Sequence, residues 1–209
     1  MKLQKADNPY RIALIPFQGE SSVAKQANEI VKNDLTRTGE FYIFDEKSLI
    51  AYPPSEDDIN YSDWRLINAD YLLLTSVIES NSGIEARYEI FDVRKKSKIR
   101  SSKVYGVTNN VRQLSHYVSD GIYEAITGIQ GVASTKILYV SQINDLDASY
   151  RLYVADADGA NEQLLVKSTE PIISPAWSPD SQKVAYVSFE TGIANVYLQD
   201  ISTGDRESI

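Results

Sequence analysis

The residues of this sequence that could do chemistry are few and far apart. Residues 174–188 read SPAWSPDSQKVAYVS, and a Ser178-Pro179-Asp180 triplet beside Trp177 could serve as a nucleophile, a phosphoacceptor or a ligand platform. The competing reading is a turn. Pro175 and Pro179 limit where backbone donors are needed, Ser178-Pro179-Asp180-Ser181 has turn composition, and Lys183 to Ser188 alternates as a strand does. A catalytic serine would need a positioned base, and His116 is the only histidine, on a helix between Ser115 and Tyr117 with no G-x-S-x-G elbow. The sequence assigns His116 to a surface or helix-flank position. Nothing marks a serine-lysine pair.

Metal and cofactor chemistry is equally thin. Asp156-Ala157-Asp158-Gly159 begins like a calcium loop, but it lacks a third oxygen ligand before the glycine and a glutamate at the twelfth position, so a hairpin turn is expected. Neither G-x-x-x-x-G-K nor G-x-G-x-x-G occurs, which argues against ATP or dinucleotide use. There is no cysteine, hence no disulfide, thiolate zinc site or cysteine nucleophile. The expectation is no catalytic, cofactor-binding or metal residue, and a protein that is not an enzyme.

Aromatic and basic groups remain. Tyr139, Tyr153, Tyr186 and Tyr197 could form a stacking platform, but packing between neighbouring sheets accounts for them more simply. Trp64, between Asp63 and Arg65, either anchors a helix or faces a partner, and packing is the expected role. Arg94, Lys95, Lys96, Lys98 and Arg100 form one basic cluster, read as a solvated hairpin turn rather than a phosphate or lipid patch.

The elements that must position these residues belong to an ordinary globular chain. Its 209 residues are 43% hydrophobic and 24% charged, enough for one large domain or two modest ones. A net charge of −8 repels phosphate backbones, so no nucleic-acid partner is expected. The longest aliphatic stretch, Tyr71 to Leu74, is far short of the roughly 20 apolar residues of a membrane span. No apolar run follows Met1-Lys2-Leu3-Gln4-Lys5, so the expectation is that any secretory leader has been removed or never existed.

Arg11 to Phe17 is a nearly continuous apolar run, as in a central strand buried on both faces. Ser21 or Ser22 caps a helix with Val23, Ala27, Ile30, Val31 and Leu35 on one face, stopped by Gly39. Phe41 to Phe44 is a second strand, and a brief helix falls around Trp64 to Ile67. Three strands then meander: Tyr71 to Glu79, Ile84 to Val93 across Asn81-Ser82-Gly83, and Ile99 to Val107 across the basic turn. From Asn110, the spacing of Leu114, Val118, Ile122 and Ala125 makes a helix that Gly128 ends. The order is β-α-β-α-β-β-β-α, an α/β unit with a mixed sheet.

After residue 128 the period changes. Lys136-Ile137-Leu138-Tyr139-Val140-Ser141 and Lys183-Val184-Ala185-Tyr186-Val187-Ser188 agree at four of six positions with an offset of 47. Arg151 to Asp156 aligns with Asn195 to Asp200, each followed by a glycine turn and a short polar strand. A repeat of this length built from four short strands indicates a β-propeller blade. The expected division is an N-terminal segment at 1–9, an α/β domain at 10–128, a linker at 129–135 and an incomplete all-β propeller of about two blades at 136–209.

The sequence resembles the TolB family. The resemblance rests on YRIALIPFQ at Tyr10 to Gln18, Asn33-Asp34-Leu35, Thr38-Gly39-Glu40-Phe41, the junction Ile126 to Ala133, and SPAWSPDSQKVAYVSFETG. It implies a non-enzymatic periplasmic component of the Tol-Pal system, which maintains outer-membrane integrity and draws the membrane inward during cell division. Its implied partners are the lipoprotein Pal, through one end of a six-bladed propeller, TolA, through a segment ahead of the first strand, and other outer-membrane proteins. Some bacteriocins use the same propeller surface for import. Met1 to Pro9 is shorter than the family's leading segment, and the family's Pal-facing residues lie largely in later blades, so no contact residue is carried over. The family's usual turn glycine is here Ser181, which leaves the turn type open.

Alternatives are a fragment of a propeller-containing peptidase, which the complete α/β unit disfavours, and an envelope lipoprotein-like regulator, which would need a lipid-accepting cysteine. Two blades expose what a third would cover, so the C-terminal part is expected to self-associate or stay poorly ordered.

Overall fold

The computed structural model describes residues 8–19, 21–81, 83–107, 110–143 and 149–209. Most of the expected TolA-docking segment, Met1 to Asp7, and Ser82 of the expected Asn81-Ser82-Gly83 turn lie outside the described residues. The chain forms two compact units, Met1–Ser134 and Thr135–Ile209.

The first unit is a mixed sheet of order β2-β1-β3-β4-β5: β1 (Tyr10–Leu14), β2 (Phe41–Ile43), β3 (Tyr71–Ser80), β4 (Gly83–Asp92) and β5 (Ser97–Gly106). β1 pairs in parallel with β2 and β3, and the rest is an antiparallel meander. The uninterrupted apolar run explains why β1 is central, since Ile12 and Leu14 face one core while Ala13 and Ile15 face another. Over the first face lie α1 (Ser22–Arg37) and α3 (Val111–Thr127), which contribute Val31, Leu35, Leu114, Val118 and Ile122.

Local chemistry fixes both helices. Ser21 Oγ accepts from Ala24 N at 3.2 Å, so the first of the two serine candidates is the cap, and the side chain of Asn110 accepts from Gln113 N at 3.2 Å. Gly128, with φ of 76°, ends α3 in the left-handed conformation that glycine adopts without steric cost. Gly121 lets α3 approach β4 closely, because a Cβ there would overlap the Tyr88 hydroxyl. Beyond α3 the chain is tied back, with Asp120 accepting from Ala133 N at 2.7 Å and Ser134 N at 3.0 Å.

The opposite face of the sheet is covered only in part. Short 3-10 turns at Glu46–Ser48 and Glu56–Asp58 and the helix α2 (Tyr61–Leu66) bring Phe44, Leu49 and Trp64 against Leu72, Leu74, Phe91 and Val93. Beyond this cluster β4 and β5 present Glu85, Arg87, Glu89, Ser101, Lys103 and the exposed Tyr105 on that face, in the alternation of an antiparallel sheet with one solvated side.

The second unit holds two antiparallel sheets. One has the order β6-β7-β8, with β6 (Lys136–Ile143), β7 (Ser149–Asp156) and β8 (Gln163–Ser168). The other has the order β12-β11-β10-β9, with β9 (Ile172–Trp177), β10 (Lys183–Ser188), β11 (Asn195–Asp200) and β12 (Arg206–Ser208). The repeated sequences occupy equivalent places: β6 corresponds to β10 and β7 to β11. The repeats differ in one respect that their sequences do not reveal: the first sheet has three strands and, among the described residues, no counterpart of β9. Leu152, Val166 and Leu138 of the first sheet pack against Ile172, Val184 and Tyr186 of the second.

Candidate interaction surfaces

The Ser178 motif is a turn between β9 and β10. Ser181 N donates to Ser178 O at 2.9 Å, and Ser178 N donates to Lys183 O at 2.9 Å. Ser178 Oγ accepts from Lys183 N at 2.9 Å and donates to Asp180 Oδ1 at 2.5 Å, and the same carboxylate oxygen accepts from Gln182 N at 3.1 Å. These bonds, Ser178 first, hold the Asp180 carboxyl below its ordinary range, so it is a poor base and Ser178 is not an activated nucleophile. Ser181 sits at φ of 58°, in the left-handed region that glycine adopts without steric cost. Ser174, at φ of 54°, lies where the β9–β10 register shifts at a bulge.

His116 corrects the sequence reading. It is not on a surface or helix flank but fully buried, with Nδ1 donating to Asp34 Oδ2 at 2.7 Å. Ser119 Oγ lies 2.8 Å from the same Asp34 oxygen, and Arg37 Nη2 donates to Asp34 Oδ1 at 2.6 Å. The physical reason is pairwise: Asp34 lies on the apolar stripe of α1, and a buried carboxylate requires donors, which α3 supplies. The order of contacts matters for chemistry. Serine and histidine both meet the acid, whereas a hydrolytic triad places the histidine between the other two.

Trp64 is buried in the core beneath α2, as packing requires. The basic cluster lies on the β4–β5 hairpin, with Lys96 at φ of 57° in the turn. Arg94 pairs with Asp70 at 2.9 Å, Lys95 with Asp92 at 3.3 Å, Lys98 with Glu56 at 2.6 Å and Glu89 at 2.8 Å, and Arg100 with Glu124 at 3.7 Å. Carboxylates beside four of the five cations offset the field that a phosphate would sense.

Asp156-Ala157-Asp158-Gly159 forms the β7–β8 turn, with Gly159 at φ of 84°. Asp156 accepts from Lys136 Nζ at 2.8 Å and Asn161 Nδ2 at 2.6 Å, while Asp158 Oδ1 accepts from Ala160 N at 2.9 Å. Those bonds stabilise the hairpin itself. The four tyrosines form two directly cross-strand pairs, Tyr139 with Tyr153 and Tyr186 with Tyr197, stacked at centroid distances of 5.5 and 5.7 Å. Tyr186 and Tyr197 are buried between the sheets. Tyr186 Oη donates to Gln199 Oε1 at 3.1 Å, and Gln199 Nε2 donates to Leu165 O at 3.3 Å, joining the second sheet to β8 of the first. Arg206 reaches Glu190 through both terminal nitrogens, at 3.1 and 3.0 Å, and lies over the Tyr197 ring.

Beside these polar groups the second sheet carries an apolar face. On the face of the second sheet turned away from the first, the register aligns Ala176, Ala185 and Leu198 in one row and Ile173, Val187 and Val196 in the next. Ile173 is 45% and Val196 42% exposed. In the first sheet, Leu138 and Val140, the repeat counterparts of Ala185 and Val187, are covered by the neighbouring sheet. The second sheet therefore carries a face of the type that a blade presents to its neighbour.

An α/β domain followed by an incomplete β-propeller is the class this fold defines. Residues 3–99 match the family described as TolB amino-terminal domain, and residues 123–209 match the TolB beta propeller domain. Two similar relatives are Tol-Pal system protein TolB of Hahella chejuensis, 38% identical with 95% of this chain and 47% of the relative covered, and that of Pseudomonas fluorescens, 34% identical with 98% and 48% covered. The crystal structure of TolB from Acinetobacter baumannii superposes with a TM-score of 0.87 at 37% identity, covering 97% of this chain and 49% of that one. The chain belongs to the TolB family and spans about half the length of the curated relatives it matches.

Proposed function

We propose that the chain is a non-enzymatic scaffold of the Tol-Pal system, acting in the periplasm and linking Pal at the outer membrane with TolA at the inner membrane. Its contribution would be to outer-membrane integrity and to invagination of that membrane during division, with bacteriocin import as a parasitic use of the same surfaces. The observation that carries the reading is the succession of a TolB amino-terminal match and a TolB propeller match along one chain. Residues 10–128 and 136–209 are the two surface-bearing units, joined through 129–135. The engaged side chains of the Ser178 turn and the Asp34–His116 cluster support a role in binding rather than catalysis.

The apolar face of the second sheet supports association of copies of this chain, and light scattering that finds only monomer across a range of concentrations would remove that element. The wider reading is tested by capturing partners from a periplasmic extract on the immobilised chain and, in parallel, on a chain of the relatives' full length. Recovery of Pal and TolA on the longer chain is expected. Recovery of neither on either chain would contradict the proposal.

A further inference from the structure

We infer that residues 129–134 are a releasable strap laid back along α3, with Asp120 as its latch, rather than slack chain between the two units. Gly128 turns the chain at the end of α3, and the residues after it run antiparallel to the helix. Ile129 N donates to Thr127 Oγ1 at 3.1 Å, and that hydroxyl donates to Tyr123 O at 2.8 Å. About two turns back from Thr127, the Asp120 carboxylate accepts from Ala133 N at 2.7 Å on one oxygen and from Ser134 N at 3.0 Å on the other. Gln113 Nε2 closes the end of the strap by donating to Ser134 O at 3.3 Å.

A second observation agrees. At Gly131 an added Cβ would stand 2.3 Å from Asp120 Oδ1 and 2.5 Å from Asp120 Cα, and the second of these is backbone that cannot swing aside. The strap therefore reaches the helix only through a glycine. Apolar burial adds little to the hold, because Ile129 is 61% and Val132 68% exposed, whereas Val118 and Ile122 of α3 are fully buried. A segment tied by a few hydrogen bonds to one carboxylate opens more readily than the helix it lies on.

The next residue already belongs to the second unit, where Thr135 O accepts from Ala157 N at 3.0 Å. With the latch closed, the chain passes from an anchor of the first unit at Ser134 directly to an anchor of the second at Thr135. With the latch open, residues 129–134 become free tether, up to about 20 Å when extended. Asp120 is thus a positioning residue that sets how much free chain joins the units. The inference rests on contacts inside each unit and not on the Tol-Pal reading.

Limited digestion of the full chain with thermolysin, which cuts ahead of exposed apolar residues, tests it together with residue-resolved amide exchange. Asp120→Ala removes the latch, and Gly131→Ala lifts the strap while leaving Asp120 in place. Both variants are expected to be cut ahead of Ile129 and Val132 at least about tenfold faster than the parent, with both units resisting further digestion. In the unaltered chain, the amides of Ala133 and Ser134 should exchange together and faster than those of Val118 and Ile122. Cleavage of both variants at the parent's rate would overturn the inference, as would cleavage within α3 itself. Exchange of Ala133 and Ser134 only in step with Val118 and Ile122 would also overturn it, by showing that the strap opens only with the whole unit; this measurement needs no variant to fold.

Discussion

His116 Nδ1 lies 2.7 Å from Asp34 Oδ2, with both side chains buried between α1 and α3 and 82 residues apart in sequence. Removing the acid leaves the imidazole and the Ser119 hydroxyl without their shared acceptor. Asp34→Ala is expected to cost about 3 kcal/mol in the first unit, and Asp34→Asn clearly less because the amide oxygen still accepts. The measurement is urea unfolding followed through Trp64 in a Trp177→Phe background. Equal midpoints for Asp34→Ala and its parent would show that the pair contributes nothing.

Ser181 occupies a left-handed conformation that a side chain disfavours. Ser181→Gly should stabilise the second unit by about 0.5 kcal/mol, the relief of backbone strain being partly offset by the added freedom of the unfolded chain. Ser181→Ala should leave partner binding unchanged, since the hydroxyl has no chemical role. A glycine variant that unfolds at lower denaturant would contradict the assigned turn.

Burial works against the Glu190 carboxylate, but hydrogen bonds from Tyr197 and Arg206 outweigh it and hold the group below its ordinary value of 4.5. A depressed folded-state value means that the stabilisation is complete above the unfolded-state value and is lost as pH falls through the folded-state one. The second unit should therefore weaken as acidification carries the pH below the ordinary glutamate value, and Glu190→Gln should reduce that dependence. Unfolding followed through Trp177 in a Trp64→Phe background checks it. An unchanged pH slope in the glutamine variant would show that Glu190 is not the source of the dependence.

Much of the architecture is legible in the sequence because it is written in local periodicity. The unbroken run at Arg11 to Phe17 identifies a central strand, and the matched strands beginning at Lys136 and Lys183 reveal the repeat by their residue types and spacing alone. The environment of His116 is not legible in this way, since its burial depends on a partner from another helix. A signal is nonetheless present: Asp34 follows Ala27 by seven residues and Ile30 by four, which puts an acid on a buried stripe. The three-stranded first sheet is hidden for a different reason. The repeat is carried by strands present in both sheets, and between α3 and Lys136 no strand corresponds to Ile172–Trp177.

We propose that the chain acts through surfaces, and on that proposal the surface for Pal lies largely outside these two repeats. Isothermal titration of the soluble domain of Pal into this chain, and into a TolB chain of the relatives' full length, tests it most directly. Clear affinity for the longer chain with weak or no affinity for this one is the predicted result; equal affinity for both, or none for either, would contradict it.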